Sequence, residues 1–269
     1  MSRDSSSDLA AALEFAVSAA RRAGAVTMEY FGTGVAVEIK GDASPVTVAD
    51  RRAEQELREL IRARFPDDTV LGEEYGETPG TSGRRWILDP IDGTKSYIAG
   101  VPLWGVMIGL EDRGKPAAGV VYVPALNEMV YAARGLGCHW LPSGHKPDDK
   151  PRPARVSSVA RLADGLVTAA AISSFEKSGK VPAYERIRKA AKVDRGWSDC
   201  YGHLLVATAR AEVMLDPVMS IWDCAALLPI LLEAGGTFTD WKGDFTISGG
   251  DAFSTNGKVF EETLRLIQK

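Results

Sequence analysis

The stretch Trp86-Ile87-Leu88-Asp89-Pro90-Ile91-Asp92-Gly93-Thr94-Lys95-Ser96 constrains this chain more than any other. Trp86, Ile87 and Leu88 are bulky and β-prone, which predicts a buried strand. Pro90 lacks the N–H that a ladder needs, so the chain is expected to turn at Asp89. Asp89 and Asp92 then lie on either side of a Pro-containing turn, where both carboxylates can converge, with the Ile91 carbonyl between them. That is an all-oxygen donor set, suited to Mg²⁺ rather than Zn²⁺. Asp92-Gly93-Thr94 also has the character of a helix start, where an Asp caps and a Gly lets a ligand reach backbone N–H groups. Read by itself, Asp-Pro-Ile-Asp-Gly is equally an ordinary solvated turn.

Two further clusters bear on that choice. Gly72-Glu73-Glu74 follows the short apolar strand Thr69-Val70-Leu71 and again sets acids just beyond a strand end. In Ile221-Trp222-Asp223-Cys224-Ala225-Ala226, Asp223 is expected to open a long apolar helix that ends at Glu233-Ala234-Gly235-Gly236. Acids at strand ends and a helix start in separate segments point to one metal site.

Apolar spacing predicts a helix over residues 7–31, capped by Ser7 or Asp8 and stopped by Gly32 and Gly34, and a second over 50–65 ahead of Pro66. Residues 104–110, 117–123 and 128–133 read as antiparallel strands separated by turns at 114–116 and 124–127, with 135–140 as a further candidate. Residues 142–153 are rich in Pro, Lys and Asp and have little to bury. They are the candidate linker or flexible hairpin between a first lobe, 1–150, holding most of the metal ligands, and a second, 151–269. The second half alternates: strand 166–171, helix 182–191, a strand near Val193, helix 199–209, strand 211–215, helix 222–234. Such alternation favours an α/β lobe.

Composition narrows the classes. With 269 residues, 45% of them hydrophobic, the chain can bury one large layered core or two closely packed lobes. A formal net charge of −4, with 32 basic residues scattered rather than massed, argues against nucleic acid as a partner. Cys138, Cys200 and Cys224 are an odd number without CxxC spacing, so neither a disulfide framework nor a thiolate zinc site is indicated. No apolar run approaches membrane-spanning length and the first eight residues are polar, so the chain reads as soluble and cytoplasmic, with no membrane partner.

On these residues the chain resembles the inositol monophosphatase superfamily of Mg²⁺-dependent, lithium-sensitive phosphatases. Residues 86–96 are similar to its first signature and 222–236 to its second. Lys40-Gly41-Asp42, Ser44-Pro45-Val46-Thr47-Val48-Ala49-Asp50 and Gly72-Glu73-Glu74 follow the family's order and approximate spacing. The resemblance covers nearly the whole chain. It implies an α/β (α+β) fold, a layered αβαβα sandwich, two or three Mg²⁺ per site, a small phosphorylated substrate and a homodimer. It also implies the ligand set Glu73, Asp89, the Ile91 carbonyl, Asp92 and Asp223, with Asp89 bridging two ions. No Cys or His stands in these motifs as a covalent nucleophile, so the expected chemistry is in-line attack on phosphorus by a metal-activated water. Thr94 and Glu73 would orient and deprotonate that water. Asp50 and Thr47 would belong to the network around it, the alternative for Asp50 being a helix N-cap. Gly93 and Thr94 would offer backbone N–H groups to the phosphate. Lys95 could meet phosphate or line a solvated edge. Glu74, with Lys40 and Asp42, would lie near a third, weaker ion, unless these charges are simply solvated.

Substrate choice is expected to be written over residues 193–216. The run Arg195-Gly196-Trp197-Ser198-Asp199-Cys200-Tyr201-Gly202-His203 resembles the histidinol-phosphate phosphatases of that superfamily, as does Lys95-Ser96-Tyr97. An extra carboxylate favours a cationic substrate, and histidinol phosphate carries a primary amine and an imidazole. Asp199 would pair with the amine, unless it only caps the helix that follows. Arg195 and Asp216 are further candidates for substrate contact, and Tyr97 or Trp197 could stack on the imidazole or belong to the core. His139, His145 and His203 have no metal-triad spacing, and His203 is expected on a helix face in a structural role. The alternatives are an inositol-specific or broad monophosphatase, a nucleotide 3′-phosphatase, or a non-catalytic metal- or phosphate-binding module.

Overall fold

The computed structural model describes residues 3–41 and 44–269, and of residues 3–6 the backbone alone. Asp42, expected near a third ion, lies outside the described residues. The first helix, α1 (Arg3–Met28), buries one stripe in which Leu9, Ala12, Ala16, Ala19, Ala20 and Ala23 recur at helical spacing. It begins ahead of Ser7 and Asp8, so neither residue caps it. The short strands β1 (Val37–Ile39) and β2 (Pro45–Thr47) form an antiparallel ribbon that leads into α2 (Val48–Arg64). Thr47, not Asp50, is the N-cap there. Asp50 is the third helical residue of a capping box and returns a bond to the Thr47 N–H.

After β3 (Thr69–Gly72) and β4 (Gly76–Thr78), the long strand β5 (Arg84–Asp92) runs through Pro90 rather than turning at Asp89. It leads to the short helix α3 (Thr94–Ile98) and to β6 (Gly105–Asp112). Asp89 pairs with Met107 and Asp92 with Gly105, so the ladder shifts by one residue between them. The proline sits in this bulge, where its missing N–H removes no ladder bond. The next turn is Arg113-Gly114, both with positive φ (51° and 71°), the pattern of a two-residue hairpin. Lys115 and Pro116 accordingly already belong to β7 (Lys115–Val123), which is followed by β8 (Glu128–Ala133) and β9 (Gly137–Leu141).

The segment expected to be a linker is anchored to this sheet at His145 and at its end, while residues 146–153 are exposed. Its His145 is buried, with Nδ1 2.6 Å from the Asn127 carbonyl and Nε2 2.9 Å from Arg21 Nη2. Its end, β10 (Arg152–Pro153), pairs with β9. The rest of the chain contributes β11 (Leu166–Ala169), α4 (Ile172–Lys177), α5 (Val181–Ala190), β12 (Val193–Arg195), α6 (Asp199–Ala207) and β13 (Val213–Asp216). It closes with α7 (Ile221–Ala225), α8 (Leu227–Glu233), β14 (Thr237–Thr239), β15 (Ala252–Thr255) and α9 (Phe260–Gln268). The single helix expected over 222–234 is thus two. Pro229 has no N–H for the Ala225 carbonyl, and the helix breaks at Ala226.

Among the described residues an eight-stranded sheet has the order β10-β9-β8-β7-β6-β5-β3-β4 and a five-stranded sheet the order β12-β11-β13-β15-β14. The first is antiparallel apart from β3 beside β5, and the second is mixed. Helices α1 and α2 cover the outer face of the large sheet, α6, α7 and α8 fill the space between the sheets, and α5 and α9 cover the far face of the small one. These are the five layers of an αβαβα sandwich.

Candidate active site

Strand alternation aims the first acid. Trp86 and Leu88 face the outer helices while Ile87 joins the core between the sheets, so Asp89, two residues further on, faces inward towards α7. Close approach of that helix depends on two glycines. Gly109 and Gly119 are directly paired across β6 and β7, and a Cβ on Gly109 would stand 2.6 Å from the Ala225 Cβ. A Cβ on Gly119 would overlap the Ala226 carbonyl. With the α7–α8 junction lying on this bare patch, the start of α7 brings Asp223 over β5. Carboxylate oxygens of Asp89, Asp92 and Asp223 come within 4.8 Å of one another.

Each of the three acids uses one oxygen on a backbone N–H. Asp89 Oδ1 accepts from Ile91 at 3.1 Å, Asp92 Oδ2 from Cys200 at 2.5 Å and Asp223 Oδ2 from Ser220 at 2.6 Å. The last bond belongs to a capping box in which Ser220, not Asp223, is the N-cap. Asp89 and Asp223 are also hydrogen-bonded to each other through their side chains, so a proton lies where a cation would be held. Burial pushes the Asp89 carboxyl well above its usual range, and the charges that add to this are Glu73, Asp92 and Asp223, all acidic. Asp92 is pushed up by burial, then by Asp199 and Asp223, against the bond from Cys200. Burial raises Asp223 to about 7, with the Ser220 bond opposing. Converging carboxylates of one sign, Asp89 buried and Asp92 and Asp223 half-buried, fit a hard divalent cation, which would replace protons there.

Glu73 stands at the edge of this cluster rather than within it. Its Oε1 is 2.8 Å from Lys40 Nζ, which also reaches Glu74 Oε1 at 2.5 Å. Burial works against the Lys40 ammonium, yet its bonds to Glu73 and Glu74 hold its pKa above the ordinary lysine value. Burial pushes Glu74 up to about 7, with Lys40 opposing. The Ile91 carbonyl accepts from Thr94 Oγ1 at 3.1 Å. Thr47 Oγ1 donates to Asp50 Oδ2 at 2.6 Å, and both residues are buried behind the site, outside the cavity walls. Burial raises the Asp50 carboxyl, its bonds with Thr47 oppose, and the Glu73 charge adds to the rise.

Asp92 and Asp223 open onto a cavity of about 430 Å³ that also takes in Glu73, Gly93, Thr94 and Lys95, while Asp89 is buried behind its wall. Asp199 and Asp216 lie in its wall beside Val218 and Met219, outside the three-acid cluster but close enough for their charges to act on it. Asp199 has φ 56°, a conformation that most side chains avoid. Its carboxylate accepts from Ser198 Oγ at 3.0 Å, whereas the Cys200 N–H at the start of α6 is taken by Asp92. Burial raises the Asp199 carboxyl, and Ser198 and the positive charge of Lys95 oppose. Asp216, at the end of β13, is pushed well up by burial, then by Asp199.

Other candidates lie elsewhere. Arg195 is exposed, donates to the Asp194 carbonyl at 2.7 Å and is outside the cavity wall. Tyr97 is a core residue packed on Phe31 and Trp104, its hydroxyl donating to the Thr27 carbonyl. Trp197 is 39% exposed and outside the wall. His203 is fully buried beside Phe238, with Nδ1 2.9 Å from Ser254 Oγ, and burial pushes its pKa down to about 3. Sequence reasoning missed Ala170, Ala171 and Ser174, at and after the end of β11, and the wall residues Val218 and Met219. They carry no contiguous motif, and α4, the helix that bears Ser174, was not anticipated.

A profile of the inositol monophosphatase family matches residues 8–269. The histidinol-phosphatase of Chlorobaculum parvum is 45% identical over 240 residues, 89% of this chain and 89% of that protein. The histidinol-phosphatase of Mycobacterium tuberculosis is 36% identical over 253 residues, 94% of this chain and 96% of that one. The crystal structure of extragenic suppressor protein suhB from Bartonella henselae superposes with a TM-score of 0.87 at 29% identity, covering 96% of this chain and 99% of that one. Five layers, converging acids and a match over almost every residue have one reading: the chain belongs to the inositol monophosphatase family.

Proposed function

We propose that this phosphoric monoester hydrolase acts on histidinol phosphate with Mg²⁺ as its cofactor, two or three ions per site. The observation that carries the reading is the pair Asp199 and Asp216, two carboxylates in the cavity wall beyond the three-acid cluster. A substrate with an ammonium group offers Asp199 a charge-assisted hydrogen bond, and an acid held in left-handed backbone is the kind of strain that clusters at ligand sites. The relatives named histidinol-phosphatase support the same substrate.

Glu73, Asp89, the Ile91 carbonyl, Asp92 and Asp223 would hold the metal. When bound, Mg²⁺ supplies positive charge against the developing phosphoryl charge and lowers the pKa of water. The chain does the rest. Backbone N–H groups of Gly93 and Thr94 take phosphate oxygens, the Thr94 hydroxyl and Glu73 orient the attacking water and receive its proton, and Thr47 with Asp50 supports that end of the site. Lys95, a cavity residue whose charge acts on Asp199, would line the solvated edge of the cavity or meet the phosphate. Asp216 would meet a hydroxyl or ring N–H, the feature that also favours a second reading, hydrolysis of inositol 1-phosphate or a nucleotide 3′-phosphate.

No helix among the described residues is long and apolar enough to cross a membrane, and Cys138, Cys200 and Cys224 are free and buried. The free, buried thiols fit a reducing compartment such as the cytoplasm, the net charge of −4 with scattered basic residues fits a partner other than nucleic acid, and family membership supports a homodimer inhibited by lithium. Phosphate release with Mg²⁺ from histidinol phosphate, inositol 1-phosphate and a nucleotide 3′-phosphate tests the assignment. A kcat/KM preference for the first supports it, and a preference for either of the others overturns the substrate while keeping the chemistry.

A further inference from the structure

Glu54 is a fully buried acid in the middle of α2, outside the cavity. Above it, Glu73, Glu74 and Tyr75 join β3 to β4, with Gly72 paired to Gly76 at the mouth of the turn. Gly76 has φ 68°, the left-handed position that closes a three-residue hairpin loop. Such a tip leaves backbone N–H groups without ladder partners, and buried ones must find acceptors.

The Glu54 carboxylate takes two of them. Oε2 accepts from the Glu74 N–H at 2.7 Å and Oε1 from the Tyr75 N–H at 3.2 Å. Its counter-ion is Arg58, one turn on, with Nε at 2.7 Å. The other Arg58 nitrogens reach the Gly76 carbonyl and, at 3.1 Å, Thr78 Oγ1, so the pair fastens the whole hairpin to α2. Gly72 is part of the arrangement, since a Cβ there would overlap the Glu54 carboxyl. On the other side, the Glu73 N–H donates to the Leu88 carbonyl at 3.2 Å. Glu73 is therefore held from β5 through its own N–H and from α2 through the two that follow. A buried ion pair adds little net stability, because desolvation offsets the attraction, but it fixes geometry well.

We propose that Glu54 is a positioning residue for the metal site, setting Glu73 by holding the hairpin tip through its amides; this rests on Glu73 being a metal ligand. Groups that hold a ligand in place typically carry about 10–100-fold in metal affinity. The test is calorimetric titration of Mg²⁺ into metal-free wild type, Glu73→Gln, Glu54→Gln, Gly72→Ala and Arg210→Ala, with thermal denaturation of each. Arg210 lies far from the hairpin, where it binds Glu128 Oε1 at 2.6 Å. Glu54→Gln and Gly72→Ala should weaken Mg²⁺ about tenfold or more, with kcat recovering at saturating Mg²⁺, and either one carries the test if the other does not fold. Arg210→Ala should lower Tm and leave Mg²⁺ affinity unchanged, which separates positioning from general loss of stability. Wild-type Mg²⁺ affinity in the Glu54 and Gly72 variants, with Glu73→Gln weakened, overturns the proposal. Wild-type affinity in Glu73→Gln removes the ligand reading beneath it and the proposal with it.

Discussion

Asp199 and Gly93 face each other with both backbones in the left-handed region, φ 56° and 85°, and Asp199 Oδ2 lies 3.2 Å from where a Cβ on Gly93 would be. The absence of a side chain at 93 makes room for the acid at 199. Gly93→Ala would bring both an unfavourable φ, at about 1–2 kcal/mol, and a close contact with the Asp199 carboxylate. Lower Tm and lower kcat/KM on every substrate are the expected result. An alanine variant with wild-type Tm and activity would mean that this facing pair has no consequence.

Asp199→Asn separates backbone from charge. Asparagine tolerates the left-handed region, so Tm should hold, while the ammonium partner is lost. A fall in kcat/KM worth about 2–5 kcal/mol is expected on histidinol phosphate, with inositol 1-phosphate changed by little. Equal losses on both substrates would remove Asp199 from substrate recognition.

Asp92→Asn should abolish turnover on every substrate, since it removes a charge from the three-acid cluster while an amide oxygen can still accept from the Cys200 N–H. Circular dichroism should show a folded protein. Residual activity confined to one substrate would count against a role in the shared chemistry.

Metal binding should depend on pH. Asp223 and Glu74 titrate near 7 in the folded, metal-free protein, above their ordinary values, with burial the main cause. Between the two values the folded state holds protons that the unfolded chain has released. Their contribution to stability is therefore present at low pH and lost as pH rises towards 7, by at most about 1.4 kcal/mol per pH unit per proton. Mg²⁺ held by Asp223 must displace the proton there, so the rise in Tm on adding Mg²⁺ should be larger at about pH 8 than at about pH 5. Comparing with and without metal at each pH cancels His203, whose depressed pKa works in the opposite sense. A metal-induced rise that is flat in pH would sink the idea.

Gly109→Ala tests the seat of α7. A methyl group there meets Ala225, and overpacking of this kind costs about 1–3 kcal/mol. Since α7 carries Asp223, weaker Mg²⁺ binding should accompany the loss of stability. Loss of stability with unchanged Mg²⁺ affinity would show that the helix can shift without moving its acid.

What could be read from the chain was whatever is contiguous. Asp89, Asp92 and Asp223 announce themselves because a strand end and a helix start each put an acid beside apolar neighbours. Even there the local geometry differed, since a bulge absorbs Pro90 and the caps are Thr47 and Ser220 rather than Asp50 and Asp223. Gly109 and Gly119 are ordinary strand glycines until β6 pairs with β7 and a helix arrives from the next layer. Glu54 is one of several acids within the helix expected over 50–65, and only the hairpin folded over it gives its burial a purpose. Arg195 and Trp197 were drawn to the cavity by closeness in sequence to Asp199, but the chain enters α6 with their side chains outside the wall.

The three converging acids each accept a backbone N–H from the fold itself, bracing the bulge of β5 at Ile91, starting α6 at Cys200 and starting α7 at Ser220. Scaffold and proposed metal site share the same side chains. A descendant that abandoned phosphate esters would still be selected to keep a side-chain oxygen at each of these positions, because losing it would fray the element it holds. Within this fold an acceptor retained there is thus weak evidence of turnover, and aspartate replaced by asparagine, which keeps the bond and drops the charge, is the better marker of lost activity.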